Sequence, residues 1–276
     1  MFELPECLVL ASQIDSTARG KVVRLAATKN VPHKFVWHNR EPAEFAALAR
    51  GKRVGTPLVH GRWISVPLEP GFVLLFGECG GALRYEKAGA TQPDRYHLLL
   101  VFEDESLLWA RTAMWGGYEL YEKGKELERD YVRGQKPTPV DPRFTFEYFD
   151  SLVKSLAAEG KRSAKSLLTQ DQIIPGLGNS IAQDILFASR IAPKRDIGSL
   201  GPPARRALYK AIVGTVKKVT AAGGRYDETD LFGKPGGYVR VMDKAATKRP
   251  CPRCGGAIAE AQYLGGAIYW CPACQT

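Results

Sequence analysis

The chain has 276 residues, of which 45% are hydrophobic, and it carries a formal net charge of +10 at pH 7. This length predicts two or three domains, and the absence of any run of eighteen apolar residues excludes a membrane-spanning helix. The charge favours a polyanionic partner such as nucleic acid, although a merely soluble basic protein stays an alternative. The acidic start lacks the features of a secretory signal, so we expect a cytoplasmic protein.

The first six residues, MFELPE, place two acidic side chains, Glu3 and Glu6, on either side of Leu4-Pro5. Chain ends are usually frayed and carry little structural information, so an ordinary first strand is the simpler interpretation. A site that uses the two carboxylates is the alternative. The residues alone do not decide between them.

Residues 1–130 show the pattern expected of β-strands. Short apolar runs recur at regular spacing between Gly, Pro or charged turns; they are KVVRLAA, KFVW, RWISVPL, FVLLF, HLLLVF and SLLWARTAM. Such spacing is typical of an antiparallel sandwich or barrel. Residues 131–144, with three prolines and a glycine, predict a linker between domains.

The period of the apolar residues changes after the linker. Residues 145–244 contain four segments with apolar residues three and four positions apart, which predict amphipathic helices; they are FTFEYFDSLVKSLAAEG, RSAKSLLTQDQII, NSIAQDILFASRI and ARRALYKAIVGTVKKVTAAGG. The polar, Gly-rich stretch GRYDETDLFGKPGGYVRVMDKAATKRP that follows predicts a long surface loop.

Four of the six cysteines lie in the C-terminal segment, residues 245–276, as two C-x2-C pairs separated by sixteen residues. This spacing predicts a structural Zn²⁺ ion bound by four thiolates, with no open coordination position. So short a segment cannot fold on a hydrophobic core alone, so the metal would supply the folding energy. A redox-active dithiol is the alternative. The proposed ligands are Cys251, Cys254, Cys271 and Cys274.

The stretch IIPGLGNSIAQ places Gly176, Gly178 and Asn179 between two predicted helices. We expect Asn179 to cap the second helix, and the glycines to allow close approach of a backbone. The amides of a helix N-terminus together with an asparagine side chain form an anion site. In a chain of charge +10, that anion is expected to be a DNA phosphate, with a plain helix–turn–helix connection as the alternative.

Three landmarks occur in order: the ELPE start, the helix–PGLGN–helix unit, and the four-cysteine segment ending CPACQ. Together they resemble the formamidopyrimidine-DNA glycosylase and endonuclease VIII family of base-excision repair enzymes, over essentially the whole chain. The resemblance implies an α+β multidomain fold with an N-terminal antiparallel β-sandwich, a helix-two-turn-helix domain and a C-terminal zinc-finger β-hairpin. It also implies a nucleoid-associated monomer, with no membrane partner, that binds damaged or abasic double-stranded DNA in the cleft between domains.

The family's chemistry depends on the N-terminal motif. An N-terminal proline, exposed by removal of Met, attacks the sugar and forms a Schiff base, and the following glutamate acts as its acid/base partner. Glu3 matches this glutamate, and Glu6 matches a second acidic residue of the motif. Phe2 occupies the proline position, so it could serve as the nucleophile only if Met1 were removed, which a bulky second residue hinders.

Several other positions depart from the family pattern. Arg62 stands where the β-domain lysine would fall, and a guanidinium can hold a phosphate but cannot act as an amine nucleophile. Gly266 replaces the zinc-finger arginine, and Glu78 stands where an apolar residue commonly fills the gap left by the flipped base. Met114 and Trp115 lie near the wedge positions, although a buried strand residue is the simpler interpretation of Trp115. The DNA contacts implied by the resemblance are Arg62, Lys165, Asn179, Gly178, Trp115 and Met114.

Two functions fit these observations. The first is a DNA glycosylase in which Glu3 assists base removal while the Schiff-base step that nicks the abasic site is lost or altered. The second is a non-catalytic protein that binds lesions or abasic sites on the same scaffold. A binder of RNA or structured DNA, or a partner-docking module, is a third possibility that nothing in the sequence requires.

Overall fold

The computed structural model describes residues 1–134 and 136–276, which form two compact units. Unit 1 comprises Met1–Gln135 with Ala222–Gly237, and unit 2 comprises Lys136–Ala221 with Tyr238–Thr276. The sequence assigned residues 222–237 to the helical domain, whereas their contacts group them with the β domain. The predicted linker, residues 131–144, includes residue 135, which lies outside the described residues.

Unit 1 contains two sheets that share one hydrophobic core, which confirms the predicted sandwich. Its strands are β1 (Val23–Thr28), β2 (Val36–Trp37), β3 (Arg53–Val54), β4 (Leu58–His60), β5 (Trp63–Glu69), β6 (Phe72–Gly77), β7 (Gly81–Glu86), β8 (Leu98–Phe102), β9 (Leu107–Thr112) and β10 (Gly116–Glu122). One sheet has the order β1-β8-β9-β7 and is antiparallel. The other has the order β2-β10-β6-β5-β3, with β4 paired to β5, and its β2–β10 pair is parallel.

The chain begins with a helix, α1 (Leu4–Ala18), so its interpretation as a first strand was wrong. Pro5 fits the first turn, where a backbone N–H has no helical partner. The Glu6 carboxylate accepts a hydrogen bond from the backbone N of Glu3 at 2.9 Å, as in a capping box. Leu10 and Ile14 of α1 are buried in the core of the sandwich. A second helix, α2 (Pro42–Ala49), precedes β3.

Residues 222–237 form an irregular segment that packs into unit 1. Leu231 is fully buried and its carbonyl accepts a hydrogen bond from the backbone N of Tyr85 at 2.9 Å. A Cβ atom on Gly236 would lie 2.2 Å from the carbonyl oxygen of Gly224, so only glycine fits there. The segment is an irregular loop, as predicted, and much of it is exposed, but the prediction of a surface loop was wrong for the buried Arg225 and Leu231.

Unit 2 is built from four helices, as predicted: α3 (Phe146–Glu159), α4 (Ala164–Thr169), α5 (Asn179–Ser189) and α6 (Pro202–Ala221). Thr145 and Ser163 cap α3 and α4 by accepting hydrogen bonds from backbone N–H groups. The N-cap of α5 is Gly178, and Asn179 is its first residue, so the predicted cap was wrong by one position. In residues 1–134 and 136–276, no helix has both the length and the apolar content needed to cross a membrane.

The C-terminal segment forms the predicted β-hairpin. Strands β11 (Ala259–Tyr263) and β12 (Gly266–Trp270) pair in antiparallel fashion. Leu264 and Gly265 connect them with positive φ angles of 51° and 73°, as in the two-residue turns that suit the twist of a hairpin. The buried Asp184 of α5 accepts hydrogen bonds from the backbone N–H groups of Val241 and Met242, which ties the chain before the hairpin to the helices.

We expect the free energy of unfolding to vary with pH because of His97, the residue that directly precedes β8. Its Nδ1 accepts a hydrogen bond from the backbone N of Thr112 at 2.9 Å. Burial, with positive neighbours at His33, His38 and Arg111, lowers the pKa of His97 to about 4. An unfolded histidine titrates near pH 6.5, so between these values only the unfolded chain binds the proton.

The free energy of unfolding should therefore fall as the pH drops from about 6.5 to about 4, by about 2–3 kcal/mol. Denaturant unfolding at pH 7 and at pH 4.5 measures the change. His97→Gln should remove this part of the pH dependence, and the matched His60→Gln should keep it. Equal pH dependence in the wild type and His97→Gln would contradict the assignment.

Candidate functional site

The two acidic residues at the start of the chain contact a buried arginine, Arg225, from the second sequence segment of unit 1, residues 222–237. Arg225 is 1% exposed, and its backbone N, Nε and Nη2 each donate a hydrogen bond of 3.0 Å to the carboxylate of Glu6. Its Nη1 lies 3.8 Å from the carboxylate of Glu3, which is also buried. Burial lowers the pKa of this guanidinium, but the charges of Glu3 and Glu6 outweigh burial and raise it well above its usual range. Glu6 is therefore a structural anchor for α1.

The amino end of Met1 lies in the same cluster. The α-ammonium group donates to Oε1 of Glu228 at 2.5 Å, and the carbonyl of Met1 accepts a hydrogen bond from Nη2 of Arg225 at 2.8 Å. A Cβ atom on Gly80 would lie 3.1 Å from the Met1 nitrogen, so glycine there leaves space beside the amine. Phe2 is 4% exposed, and its backbone N donates to the carbonyl of Cys79 at 2.8 Å. The Phe2 nitrogen is thus directed into the protein.

Two of the departures noted in the sequence form a pair with each other. Arg62, in the turn before β5, lies 3.0 Å from the Glu78 carboxylate, and both side chains are mostly buried. Burial lowers the pKa of Arg62, but the Glu78 charge outweighs it and the pKa is raised. Burial raises the pKa of Glu78, against the opposing charges of Arg62 and Arg129. A phosphate that approached Arg62 would have to compete with Glu78.

The predicted wedge residues lie in the loop between β9 and β10. Met114 is 57% exposed and Trp115 is 44% exposed, so the interpretation of Trp115 as a buried strand residue was wrong. Phe35 stacks on Trp115 with ring centroids 4.5 Å apart, and its carbonyl accepts a hydrogen bond from the backbone N of Gly116. The sequence did not single out Phe35. An exposed pair of aromatic rings is a stacking surface for nucleic-acid bases.

The predicted phosphate-binding residues of unit 2 contact the C-terminal hairpin. Nζ of Lys165 donates to the carbonyls of Tyr263 and Gly266, and burial lowers the pKa of this lysine. Nδ2 of Asn179 donates to the carbonyl of Ala267 at 3.2 Å. A Cβ atom on Gly266 would lie 3.2 Å from that amide nitrogen, so the absent side chain leaves room for Asn179. The structure thus brings Lys165, Gly178 and Asn179 to one place beside the hairpin turn.

The four terminal cysteines form a candidate metal centre. Their sulfur atoms all lie within 4.8 Å of one another, with Sγ–Sγ distances of 3.9 Å between Cys251 and Cys274 and 3.5 Å between Cys254 and Cys271. A tetrahedral ion with metal–sulfur bonds of about 2.3 Å requires sulfur atoms about 3.8 Å apart. The thiolate set therefore fits a tetrahedral metal ion. Among the described residues, no other group of histidine, cysteine or carboxylate ligands converges in this way.

The charge of the chain is divided unequally between the two units. Unit 2 contains 19 Lys and Arg against 9 Asp and Glu, a difference of +10, which equals the net charge of the whole chain. Unit 1 contains 20 of each and is formally neutral. Any general attraction to a polyanion therefore resides in unit 2.

The sequence is similar over its full length to a named set of bacterial enzymes. Residues 136–229 match the family described as "Formamidopyrimidine-DNA glycosylase H2TH domain". The chain is 27% identical to formamidopyrimidine-DNA glycosylase from Geobacillus kaustophilus and 26% identical to that from Roseiflexus, with 100% of each chain covered. The chain therefore contains a segment that matches the H2TH domain of this family, and its whole length is similar to enzymes of that name. The expected α+β multidomain fold is confirmed by the observed sheets and helices and by the solved structures that share it.

Solved structures share this fold. The MutM (Fpg) protein from Thermus thermophilus superposes with a TM-score of 0.82 at 24% identity, with 99% of this chain and 98% of that chain covered. The Lactococcus lactis Fpg in complex with abasic-site DNA gives a TM-score of 0.84 at 20% identity, with 99% of both chains covered.

The structure adds residues that sequence reasoning missed. It brings Met1, Glu3 and Glu6 together with Arg225 and Glu228, although the latter two were assigned to a surface loop. No local signal marks them, because their partners lie more than 200 positions away in the sequence. By contrast, the capping box of α1 was readable from the spacing of Glu3 and Glu6 and from Pro5.

Replacing Arg225 by Met should destabilise unit 1 strongly. The change would leave Glu6 and Glu3 buried without their counter-charge, which typically costs about 3–5 kcal/mol. Chemical denaturation of the purified variant measures the loss. The matched control is Arg133→Met, which removes an exposed arginine paired with Asp130 and should change stability by less than about 0.5 kcal/mol. Similar small losses for both variants would argue against an anchoring role for Arg225.

Proposed function

We propose that this protein is a base-excision-repair glycosylase that binds damaged duplex DNA and removes a damaged base. The observation that carries the proposal is the full-length similarity to proteins named formamidopyrimidine-DNA glycosylase. A solved relative of the same fold is bound to DNA that contains an abasic site. A glycosylase that repairs chromosomal DNA would be located in the cytoplasm, associated with the nucleoid. We propose that it acts as a monomer.

DNA is held mainly by unit 2. Its charge of +10 supplies the attraction to phosphates. Gly178 and the exposed Asn179 form the predicted phosphate contact at the start of α5, where backbone N–H groups favour an anion. Lys165, in α4, is 2% exposed and supports this contact through its hydrogen bonds to the hairpin. The hairpin carbonyls already accept hydrogen bonds from Lys165 and Asn179, so these side chains are positioned before DNA arrives. Met114 and Trp115, supported by Phe35, provide the stacking surface in unit 1.

Base removal is assigned to Glu3. Its carboxylate is buried at the start of α1, beside the positive charge of Arg225. This carboxylate would either activate the attacking water or stabilise the positive charge that develops on the sugar. Glu6 holds Glu3 in place, since its oxygens accept from Arg225 and from the Glu3 backbone. Phe2 serves as a nucleophile only if Met1 is removed. The backbone N of Phe2 donates a hydrogen bond to the carbonyl of Cys79 and is therefore not free to attack the sugar. We propose that base release proceeds without the usual strand scission.

The tetrahedral thiolate site is proposed to hold Zn²⁺. Four thiolates leave no position for water or substrate, so the ion would stabilise the hairpin and take no part in the reaction. Cys251, Cys254, Cys271 and Cys274 are its ligands. The metal keeps the hairpin turn beside α5, where its carbonyls fix Lys165 and Asn179.

A non-catalytic lesion-binding protein is the second candidate. It is favoured by one specific observation: the charges around the N-terminus are already neutralised in pairs. Arg225 contacts Glu6, Arg62 contacts Glu78, and the Met1 ammonium contacts Glu228. Such a centre binds an altered nucleotide by shape and stacking, with no group set aside for proton transfer.

Glu3→Gln should separate the two candidates. Release of free base is measured on duplexes that carry oxidised, alkylated or deaminated bases, and nicking on the same duplexes and on abasic DNA. If Glu3 is the acid or base, its replacement should lower base release by about 10²–10⁴-fold while DNA binding is retained. The matched control is Glu122→Gln, which changes an exposed glutamate at the end of β10 and should leave the rate unchanged.

The outcomes of this assay discriminate clearly. Tight binding without base release from any duplex would favour the lesion-binding protein. A covalent adduct trapped by borohydride on abasic DNA would contradict the proposal that the Schiff-base step is absent, and intact mass would then show whether Met1 or Phe2 carries it.

The metal assignment predicts one zinc ion per chain, measured by elemental analysis of the purified protein. Cys274→Ser should lower the zinc content and the melting temperature, because one of four ligands is lost and metal binding supplies folding energy for so short a segment. Cys7→Ala removes a buried cysteine outside the cluster and should keep the zinc. A full zinc content in Cys274→Ser would show that the ion is held elsewhere.

A further inference from the structure

A pocket of about 340 Å³ in unit 1 has a lining that the proposed function does not use. Three of the four histidines of the chain, His33, His38 and His97, line it together with Lys29. No carboxylate belongs to the lining, and none of the lining residues belongs to the cluster around Met1. We call this cavity the histidine pocket.

The protonation of His97 is fixed by its surroundings. Its Nδ1 accepts the hydrogen bond from the Thr112 backbone N, so the neutral ring carries its proton on Nε2. That Nε2 has no hydrogen-bond partner among the described residues, although the side chain is only 2% exposed. A buried donor without an acceptor is costly. The edge-to-face contact with the His33 ring, at 5.4 Å between centroids, offers at most a weak N–H···π interaction.

The other two histidines add a second donor. Nδ1 of His33 accepts from the backbone N of Phe35 at 3.2 Å, which leaves the His33 proton on Nε2. Nε2 of His38 contacts the carbonyl of His97 at 3.0 Å and therefore donates to it. The Lys29 ammonium lies 3.2 Å from a carboxylate oxygen of Glu41, a side chain that is 82% exposed. The lining therefore combines two N–H donors with an ammonium group.

We propose that the histidine pocket binds a phosphate group through the Nε2–H groups of His33 and His97 and the ammonium of Lys29. Charge-assisted hydrogen bonds from several donors to one oxyanion are strong and selective. The site lies in the formally neutral unit, so it would act by local contacts and not by the general attraction of unit 2. It goes beyond the proposed function and does not depend on it.

A nucleotide is the phosphate source that the neighbouring residues favour. Phe35 follows His33 by two positions, with ring centroids 6.4 Å apart, and it stacks on the exposed Trp115. A phosphate in the pocket and a base on these rings would combine the two kinds of contact used for single-stranded nucleic acid. The phosphate could belong to a DNA strand or to a free nucleotide, and both present the same group.

Histidine ring signals in NMR spectra provide the test, because the chain has only four histidines. Inorganic phosphate is titrated at pH 7 against sodium chloride of equal ionic strength. The signals of His33, His38 and His97 should shift and saturate, while His60, which contacts Ser65 outside the pocket, should not shift. Deoxyadenosine monophosphate and a short single-stranded DNA are then titrated separately. Competition by DNA identifies a backbone site, and tighter binding of the monophosphate alone identifies a free-nucleotide site; either result supports the phosphate site.

Two surface variants keep the test independent of folding. Lys29→Gln and His33→Gln should each weaken phosphate binding about tenfold, since hydrogen bonds to a charged group are lost. The matched control is Lys123→Gln, which removes a lysine paired with Glu69 in the same unit and should leave affinity unchanged. Shifts that do not saturate, that include His60 equally, or that are insensitive to Lys29→Gln would overturn the proposal.

Discussion

The buried ion pair between Arg225 and Glu6 determines how unit 1 is assembled. Glu6 belongs to the first turn of α1 and also accepts the backbone N–H of Glu3, so one carboxylate closes the helix start and binds the arginine. Arg225 belongs to the segment 222–237, which returns to the β domain after the four helices of unit 2. Neither charge is stable in the interior without the other. The positions of Met1, Glu3 and Glu228 follow from this pair.

The strands and long helices were predictable because their signals are local. The apolar runs of β5, β6, β8 and β9, and the spacing in α3 and α6, identify these elements without knowledge of their neighbours. The start of α1 was misread as an ordinary strand although its capping box and Pro5 are also local signals, because chain ends are usually frayed and carry little structural information. The place of Arg225 was not predictable, since its partners are 219 positions away and nothing in GGRYDETD indicates burial.

The unequal distribution of charge also required the structure. A net charge of +10 suggests a basic protein throughout, but unit 1 is formally neutral and unit 2 carries the entire excess. The assignment depends on the segment 222–237, which interrupts unit 2 in sequence. A formally neutral unit gains no general attraction to phosphates from its net charge, so the nucleic-acid contact proposed for it depends on specific groups such as the Phe35–Trp115 pair.

At two places, residues that depart from the family pattern interact favourably with a neighbouring residue. Arg62 and Glu78 neutralise each other, whereas either one alone would be a mostly buried charge without a partner. Gly266 has no side chain where Asn179 approaches the hairpin, so the amide reaches the backbone carbonyl of Ala267. At the N-terminus the polar groups are likewise engaged: the carboxylate of Glu3 is buried beside Arg225, the ammonium of Met1 contacts Glu228, and the backbone N of Phe2 donates to the carbonyl of Cys79.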